Sequence, residues 1–262
     1  MLKKRLIPKL QMKMGTVAGR QKMVLVTTIN FDKVVEIGDP VSQAKIYQAQ
    51  AADELIFVDI DASAESRGTV ADVISKLSEE VFMPITVGGG VRTLEDYRTL
   101  LNCGADKISV NSSIVENPSF INEASQRFGA QCVVASIDFK RNYDRSFSIW
   151  THGGSKKVDK NPIDWAVECE ERGAGEILLT SIDRDGTRQG LDIEICREIT
   201  EKLSVPIIVS GGCGLARHFV EGYQQIKCNA ISAGTYFCFK DENPMQTRSQ
   251  IRNAGLPIRL HT

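Results

Sequence analysis

Residues 174–186 read AGEILLTSIDRDG, and residues 52–62 read ADELIFVDIDA. At a separation of 122 positions the two stretches superpose Glu54 on Glu176 and Asp61 on Asp183. Each is a short, almost continuous apolar run closed by aspartate, the pattern of a parallel strand buried on both faces and ending at a polar rim. PITVGGG (84–90) and PIIVSGG (206–212) match at the same separation, Pro84 on Pro206 and Gly89-Gly90 on Gly211-Gly212. RLIPKLQMK (5–13) can likewise be laid over CVVASIDFK (132–140), which sets Gln11 opposite Asp138. The chain reads as two copies of one half.

Working outward from these words gives eight short strands, at 5–11, 54–60, 84–88, 107–111, 132–138, 176–182, 206–210 and 230–234. Helical spacing of apolar residues fills the gaps, as in VADVISKLSEEV, LEDYRTLLNC, PSFINEASQRF, IDWAVECEERG, IEICREITEKL and HFVEGYQQI. Eight βα units in 262 residues predict an α/β protein, a single (β/α)8 TIM barrel with a half-barrel repeat. Separate halves would each expose sheet edges that closure removes, so residues 1–262 are expected to form one domain. Two longer connections, 12–39 and 140–161, fall at the C-terminal face where a barrel assembles its site. The first is expected to be a mobile active-site loop.

Composition narrows the class. Acidic and basic side chains nearly cancel to a formal net charge of -1, which gives no footprint for nucleic acid. The seven cysteines form no paired CxxC cluster, and several sit in apolar runs such as QCVVASI, as reduced thiols of a cytoplasmic protein do. The basic opening breaks at Pro8 before a signal-peptide core can form, and no apolar run is long enough to span a membrane. His152 and His218 lack companions at metal-ligand spacing, so neither a metal nor another cofactor is expected.

The strand ends carry the chemistry. Gly88-Gly89-Gly90 and Gly211-Gly212 occupy equivalent ends, where glycine lets backbone amides approach an anion closely. With Asn111-Ser112, Asp185-Gly186-Thr187 and Ala233-Gly234 they make a two-fold set of candidate phosphate-binding turns; a tight βα turn without a ligand is the alternative for either alone. Asp138 ends strand five, a position suited to a catalytic side chain. Asp183 and Asp185 could instead cap helices or order loops, and Asp59 could be a structural partner of a basic side chain. At the opposite ends, Arg5, Glu54, Lys107 and Glu176 begin strands one, two, four and six. Charges inside a barrel are costly unless paired. Two acids and two bases therefore either close a ring at the floor or form separate surface salt bridges of little worth.

These words, in this order, resemble the cyclase subunit of imidazole glycerol phosphate synthase. The match runs through GDP (38–40), DELIFVDI, TVGGGVR, GADKISVNS, ENPS, ASIDFKR, THGG, RGAGEILLTSIDRDGT and PIIVSGG, nearly the whole chain. The resemblance implies a barrel that pairs at its N-terminal face with a glutaminase subunit. It further implies that ammonia passes through a charged gate and down the barrel to a phosphorylated substrate at the other end. Residue by residue, the gate would be Arg5, Glu54, Lys107 and Glu176. The phosphate site would be the glycine turns with Asn111, Ser112, Gly186, Gly211 and Gly212. Ser112 stands where the family usually has threonine, Gly234 where it has serine, and Lys9 where it has cysteine. The largest departure is in the acid/base pair, two aspartates at the ends of strands one and five. The second is Asp138; the first is Gln11, and an amide cannot act as a carboxylate acid or base.

Three functions follow as expectations. A paralogue that keeps glutaminase docking and ammonia conduction could deliver ammonia to another phosphorylated or nucleotide-linked sugar, for example in acetamido-to-acetamidino conversion for surface glycans. That reading explains an intact gate beside an altered pair, with Asp138 as proton acceptor and Gln11 and Lys9 orienting or polarising the acceptor carbonyl. The alternatives are the ordinary cyclase of histidine biosynthesis and a non-catalytic barrel that activates a glutaminase.

Overall fold

In the computed structural model of the chain, residues 3–62, 70–239 and 243–260 are described. β1 (Arg5–Val17), β2 (Arg20–Ile29), β3 (Lys33–Gly38) and α1 (Pro40–Ala49) open the fold. They are followed by β4 (Leu55–Asp59), α2 (Ala71–Glu80), β5 (Ile85–Gly88), α3 (Leu94–Asn102), β6 (Lys107–Val110), α4 (Ser112–Glu116) and α5 (Ser119–Phe128). The second half contains β7 (Val133–Arg141), β8 (Phe147–Thr151), β9 (Lys156–Val158), α6 (Pro162–Glu171), β10 (Glu176–Ser181) and α7 (Ile193–Lys202). It ends with β11 (Ile207–Ser210), α8 (Ala216–Gln225), β12 (Ala230–Ala233), α9 (Thr235–Phe239) and α10 (Pro244–Asn253).

β1, β4, β5, β6, β7, β10, β11 and β12 pair in parallel in that order, and β12 returns to β1 with Ala230 opposite Arg5. The result is the closed eight-stranded barrel expected from the sequence. Side chains split into two cores by strand alternation. Outward residues such as Leu6, Leu10, Phe57, Val87, Ile137 and Leu179 meet the buried faces of the helices. Inward, Ile7, Ile56, Val134, Leu178, Ile208 and Ala230 form a separate apolar layer across the barrel. The helices start where short polar side chains satisfy free backbone N–H groups. Thr93 and Asp96 form a capping box on α3, Asn161 caps α6 ahead of Pro162, and Asn243 with Gln246 boxes α10.

The half-barrel repeat extends to backbone detail. Gly89 (φ +104) and Gly211 (φ +93) both adopt conformations closed to most side chains. A Cβ at Gly89 would lie 2.4 Å from the Asp59 carbonyl oxygen, and one at Gly211 would lie 2.6 Å from that of Ser181. Each glycine therefore lets one strand end tuck against its neighbour, at positions related by the sequence repeat.

Two regions differ from the sequence reading. The stretch 12–39 is not an irregular loop: β1 continues past Gln11, turns at Ala18-Gly19 (φ 50 and 76) and returns as β2 and β3. Two positive φ values in a two-residue connection match the twist of a hairpin. Asn30 then fixes the far turn over the barrel, its amide donating to the carbonyls of Ile182 and Asp183. The stretch 140–161 likewise extends β7 and adds β8 and β9. Helix α1 was not expected, because PVSQAKIYQA has almost no apolar stripe; Asp39 capping Ser42 and Pro40 at the first turn specify its start instead. Among the described residues no helix is long and apolar enough to cross a membrane.

Candidate active site

Arg5, Glu54, Lys107 and Glu176 meet at the N-terminal end of the barrel. Arg5 Nη1 lies 2.7 Å from Glu54 Oε1 and Arg5 Nη2 lies 2.5 Å from Glu176 Oε1. Lys107 Nζ completes the circuit, 3.0 Å from Glu54 Oε2 and 2.8 Å from Glu176 Oε2. Bases and acids alternate, so each carboxylate bridges two cations. Burial pushes the Glu54 carboxyl up, but attraction to Arg5 and Lys107 and hydrogen bonds from both outweigh it and hold the group below its ordinary value. Burial also opposes the Arg5 cation, yet Glu176 and Glu54 more than offset that and raise its pKa. The main chain beneath is pinned. The Tyr223 hydroxyl donates to the Arg5 carbonyl at 2.6 Å, and Asp53, paired with Arg248 at 3.1 Å, accepts the Leu6 N–H at 2.7 Å.

Above the ring lies the inner apolar layer, and above that a cavity of about 630 Å³ opens at the C-terminal ends of the strands. Its size suits a small-molecule ligand. Lys9, Gln11 and Asp138 all line it, together with Gly88, Gly89, Gly90, Asn111 and Ser112. Asp138 accepts a hydrogen bond from Asn111 Nδ2 at 2.7 Å. Burial pushes the Asp138 carboxyl up to about 6 against the pull of Lys9 and Asn111, with Asp185 adding repulsion. A carboxyl near that value can exchange a proton at neutral pH.

Gln11 is engaged differently. Its amide nitrogen donates to Thr28 Oγ1 at 3.0 Å, and the Thr28 hydroxyl donates to Asp185 Oδ2 at 2.6 Å. The other Asp185 oxygen is 3.8 Å from Lys9 Nζ. β2 thus supplies a hydroxyl that ties strand-one glutamine to the carboxylate after β10. Asp185 does not itself line the cavity, but its charge and that of the Lys9 ammonium both act on Asp138.

With that arrangement in view, the sequence matches the histidine biosynthesis protein family over residues 5–242. The chain belongs to that family. It is 50% identical, over 99% of both chains, to a Prochlorococcus marinus (strain MIT 9313) protein named "Putative imidazole glycerol phosphate synthase subunit hisF2".

In this family member the predicted turns separate into two groups. Gly88, Gly89, Gly90, Asn111 and Ser112 share the cavity wall with Arg92, His152 and Gly153. The His152 N–H donates to Ser112 Oγ at 3.0 Å, joining the two loops. Gly186, Thr187, Gly211, Gly212, Ala233 and Gly234 do not line that wall. A Cβ at Gly186 would lie 2.0 Å from the Thr28 carbonyl oxygen, so this glycine admits the β2 strand. Thr187 donates its hydroxyl to the Arg184 carbonyl and closes its own turn. Asp59 accepts the N–H groups of Asp61 and Ala62, and Asp183 accepts that of Arg141, so both order loops.

The sequence reading missed Thr28, Phe31, Asp32, Arg92 and Thr180, which also line the cavity. The β-branched run MVLVTTI was the available signal for Thr28, but a strand pattern does not reveal what the strand folds over.

Proposed function

We propose that the chain is the ammonia-consuming subunit of a glutamine-dependent synthase. A glutaminase partner docks on the N-terminal face, ammonia passes the Arg5–Glu54–Lys107–Glu176 ring, and it is added to a phosphorylated or nucleotide-linked sugar in the cavity above. The closed, buried ring carries this reading: four charges on separate strands, each answered by two of the others, are an expensive way merely to fill a barrel floor. The name of the Prochlorococcus relative supports the same class. The Gly88–Gly90 and Asn111-Ser112 turns hold the phosphate.

The acceptor differs from that of imidazole formation. Gln11 supplies no carboxylate and is bound to Thr28. Proton transfer therefore falls to Asp138, while the Gln11 amide and the Lys9 cation orient and polarise a carbonyl or amide acceptor, as conversion of an acetamido to an acetamidino sugar requires. The second reading, the cyclase of histidine biosynthesis, is favoured by the name of the relative and by Asp185 lying close enough to act electrostatically on Asp138. Purified protein supplied with ammonium salts and either the ribulosyl intermediate of that pathway or a nucleotide-linked acetamido sugar separates the two. Turnover of the acetamido sugar is expected. Robust imidazole glycerol phosphate formation would establish the cyclase instead, and consumption of neither by a barrel that still activates a glutaminase would leave only the non-catalytic role.

A further inference from the structure

Two hydroxyls inside the barrel have no role in anything described above. Ser210 on β11 and Ser232 on β12 are 2% and 0% exposed, and neither Oγ has a hydrogen-bond partner among the described residues. Strand alternation places both on the inner face, since Ser210 lies two residues beyond Ile208 and Ser232 two beyond Ala230, members of the inner apolar layer. The serines are directly opposed in register across β11 and β12, which puts their backbones about 4.8 Å apart and their hydroxyls on one space. Ile208 and Ala230 lie one inner level below, and Ile7, opposed to Ser232, lies beside that space. Lys9, two residues beyond Ile7 on β1, occupies the next inner level above. This side chain leaves β1 and ends 3.8 Å from Asp185, just past β10, and the strands between those two are β12 and β11. Both serines are absent from the cavity wall that Lys9 helps to form.

Unsatisfied hydroxyls are costly in such a place, where alanine would pack without penalty. We propose that Ser210 and Ser232 form a binding site for one neutral ammonia molecule, held beneath Lys9 between the charged ring and the reaction chamber. The inference rests on the reading that ammonia crosses the barrel. Ammonia has one lone pair and three N–H groups, so it accepts a hydrogen bond from one serine and donates to the other. Ammonium has no lone pair and is repelled by the Lys9 cation, so the site favours the neutral form. Water shares the donor–acceptor chemistry and is the competing occupant.

Methylamine distinguishes them, because it is one heavy atom longer than water. Crystals of the isolated chain, soaked in methylamine at a pH where part of the amine is neutral, are expected to show two-atom density bonded to both hydroxyls. The double variant Ser210→Ala/Ser232→Ala should show none there. Single-atom density in the parent protein, or amine density that survives in the double variant, overturns the proposal. With ammonium salts as nitrogen source, the double variant should raise the KM for ammonia about tenfold with kcat preserved, the loss expected for two modest hydrogen bonds. An unchanged KM overturns it too. Failure of the parent protein to turn over any acceptor would count against the proposed function and leave the crystallographic result to decide the site.

Discussion

At Asp138 the neighbours decide what the residue can do. Its carboxyl is raised to about 6, first by burial, while Lys9 and Asn111 limit the rise. A proton-accepting Asp138 gives a rate that climbs as pH passes through about 6 and then levels. Asp138→Asn should abolish that limb and lower kcat by about 10²–10⁴. The same shift has a cost in stability. Because the folded value lies above the unfolded one of about 3.9, ionisation disfavours folding, with the penalty absent below that value and complete above about 6. Asp138→Asn should therefore melt several degrees above the parent at about pH 8 and match it near about pH 4. A variant no more stable at the higher pH would mean that Lys9 already compensates the charge in full. Gln11→Asp tests the other member of the pair. A new carboxylate beside Thr28 should raise ribulosyl turnover by about 10-fold or more if the barrel is a cyclase lacking only its acid. No gain would show that the acceptor itself has changed. The identity of Gln11 was plain in the sequence, but its tie through Thr28 to Asp185 was not, because that contact joins residues 157 apart.

Among the elements, the β2–β3 hairpin departs most from the sequence reading, and it shows where legibility ends. Seven of the eight barrel strands were readable as short apolar runs closed by glycine, asparagine, serine or aspartate, and the first, which ends at Gln11, because the two halves repeat each other. The hairpin's sequence does not repeat in the second half, although β8 and β9 take the equivalent place after β7, and its alternation was overlooked inside a stretch rich in lysine and glycine. Helix α1 was missed for the opposite reason, since its start is set by a cap and a proline rather than by an apolar stripe. The hairpin is held over the chamber by Asn30 on the carbonyls of Ile182 and Asp183, by Thr28 on Asp185, and by the close approach of Gly186 to Thr28. Gly186→Ala adds a methyl group against backbone at a φ of +72, with no room to move aside. It should detach the hairpin turn, raise substrate KM severalfold and cost roughly 1–3 kcal/mol of stability. Protease cutting within 18–32, measured by mass spectrometry, should accelerate in the variant. An unchanged cleavage pattern would show that the hairpin is held by its strand pairing with β1 alone.

On the scale of the whole molecule, the barrel is stacked in layers of different chemistry: a charged ring, an apolar belt, a level of hydroxyls and lysine, and a chamber of carboxylates and glycine turns. The ring can be tested as a unit because its members lie on four strands far apart in sequence. Removing one acid leaves two buried bases sharing a single carboxylate, and an unmatched buried charge costs about 3–5 kcal/mol. Glu176→Gln should therefore shift denaturant unfolding by that amount. Removing a matched pair is different, because Lys107 and Glu54 still answer each other at 3.0 Å when Arg5 and Glu176 become apolar. Arg5→Met/Glu176→Leu should then recover most of the stability lost by Glu176→Gln, since apolar replacement of a buried pair is often neutral or stabilising. Its function should not recover with it. With the inlet apolar, ammonia supplied as a salt should still be consumed, while ammonia generated from glutamine by a docked partner should escape to solvent. Independent, additive losses at Arg5 and Glu176 would show that the four residues are separate salt bridges that happen to share a floor.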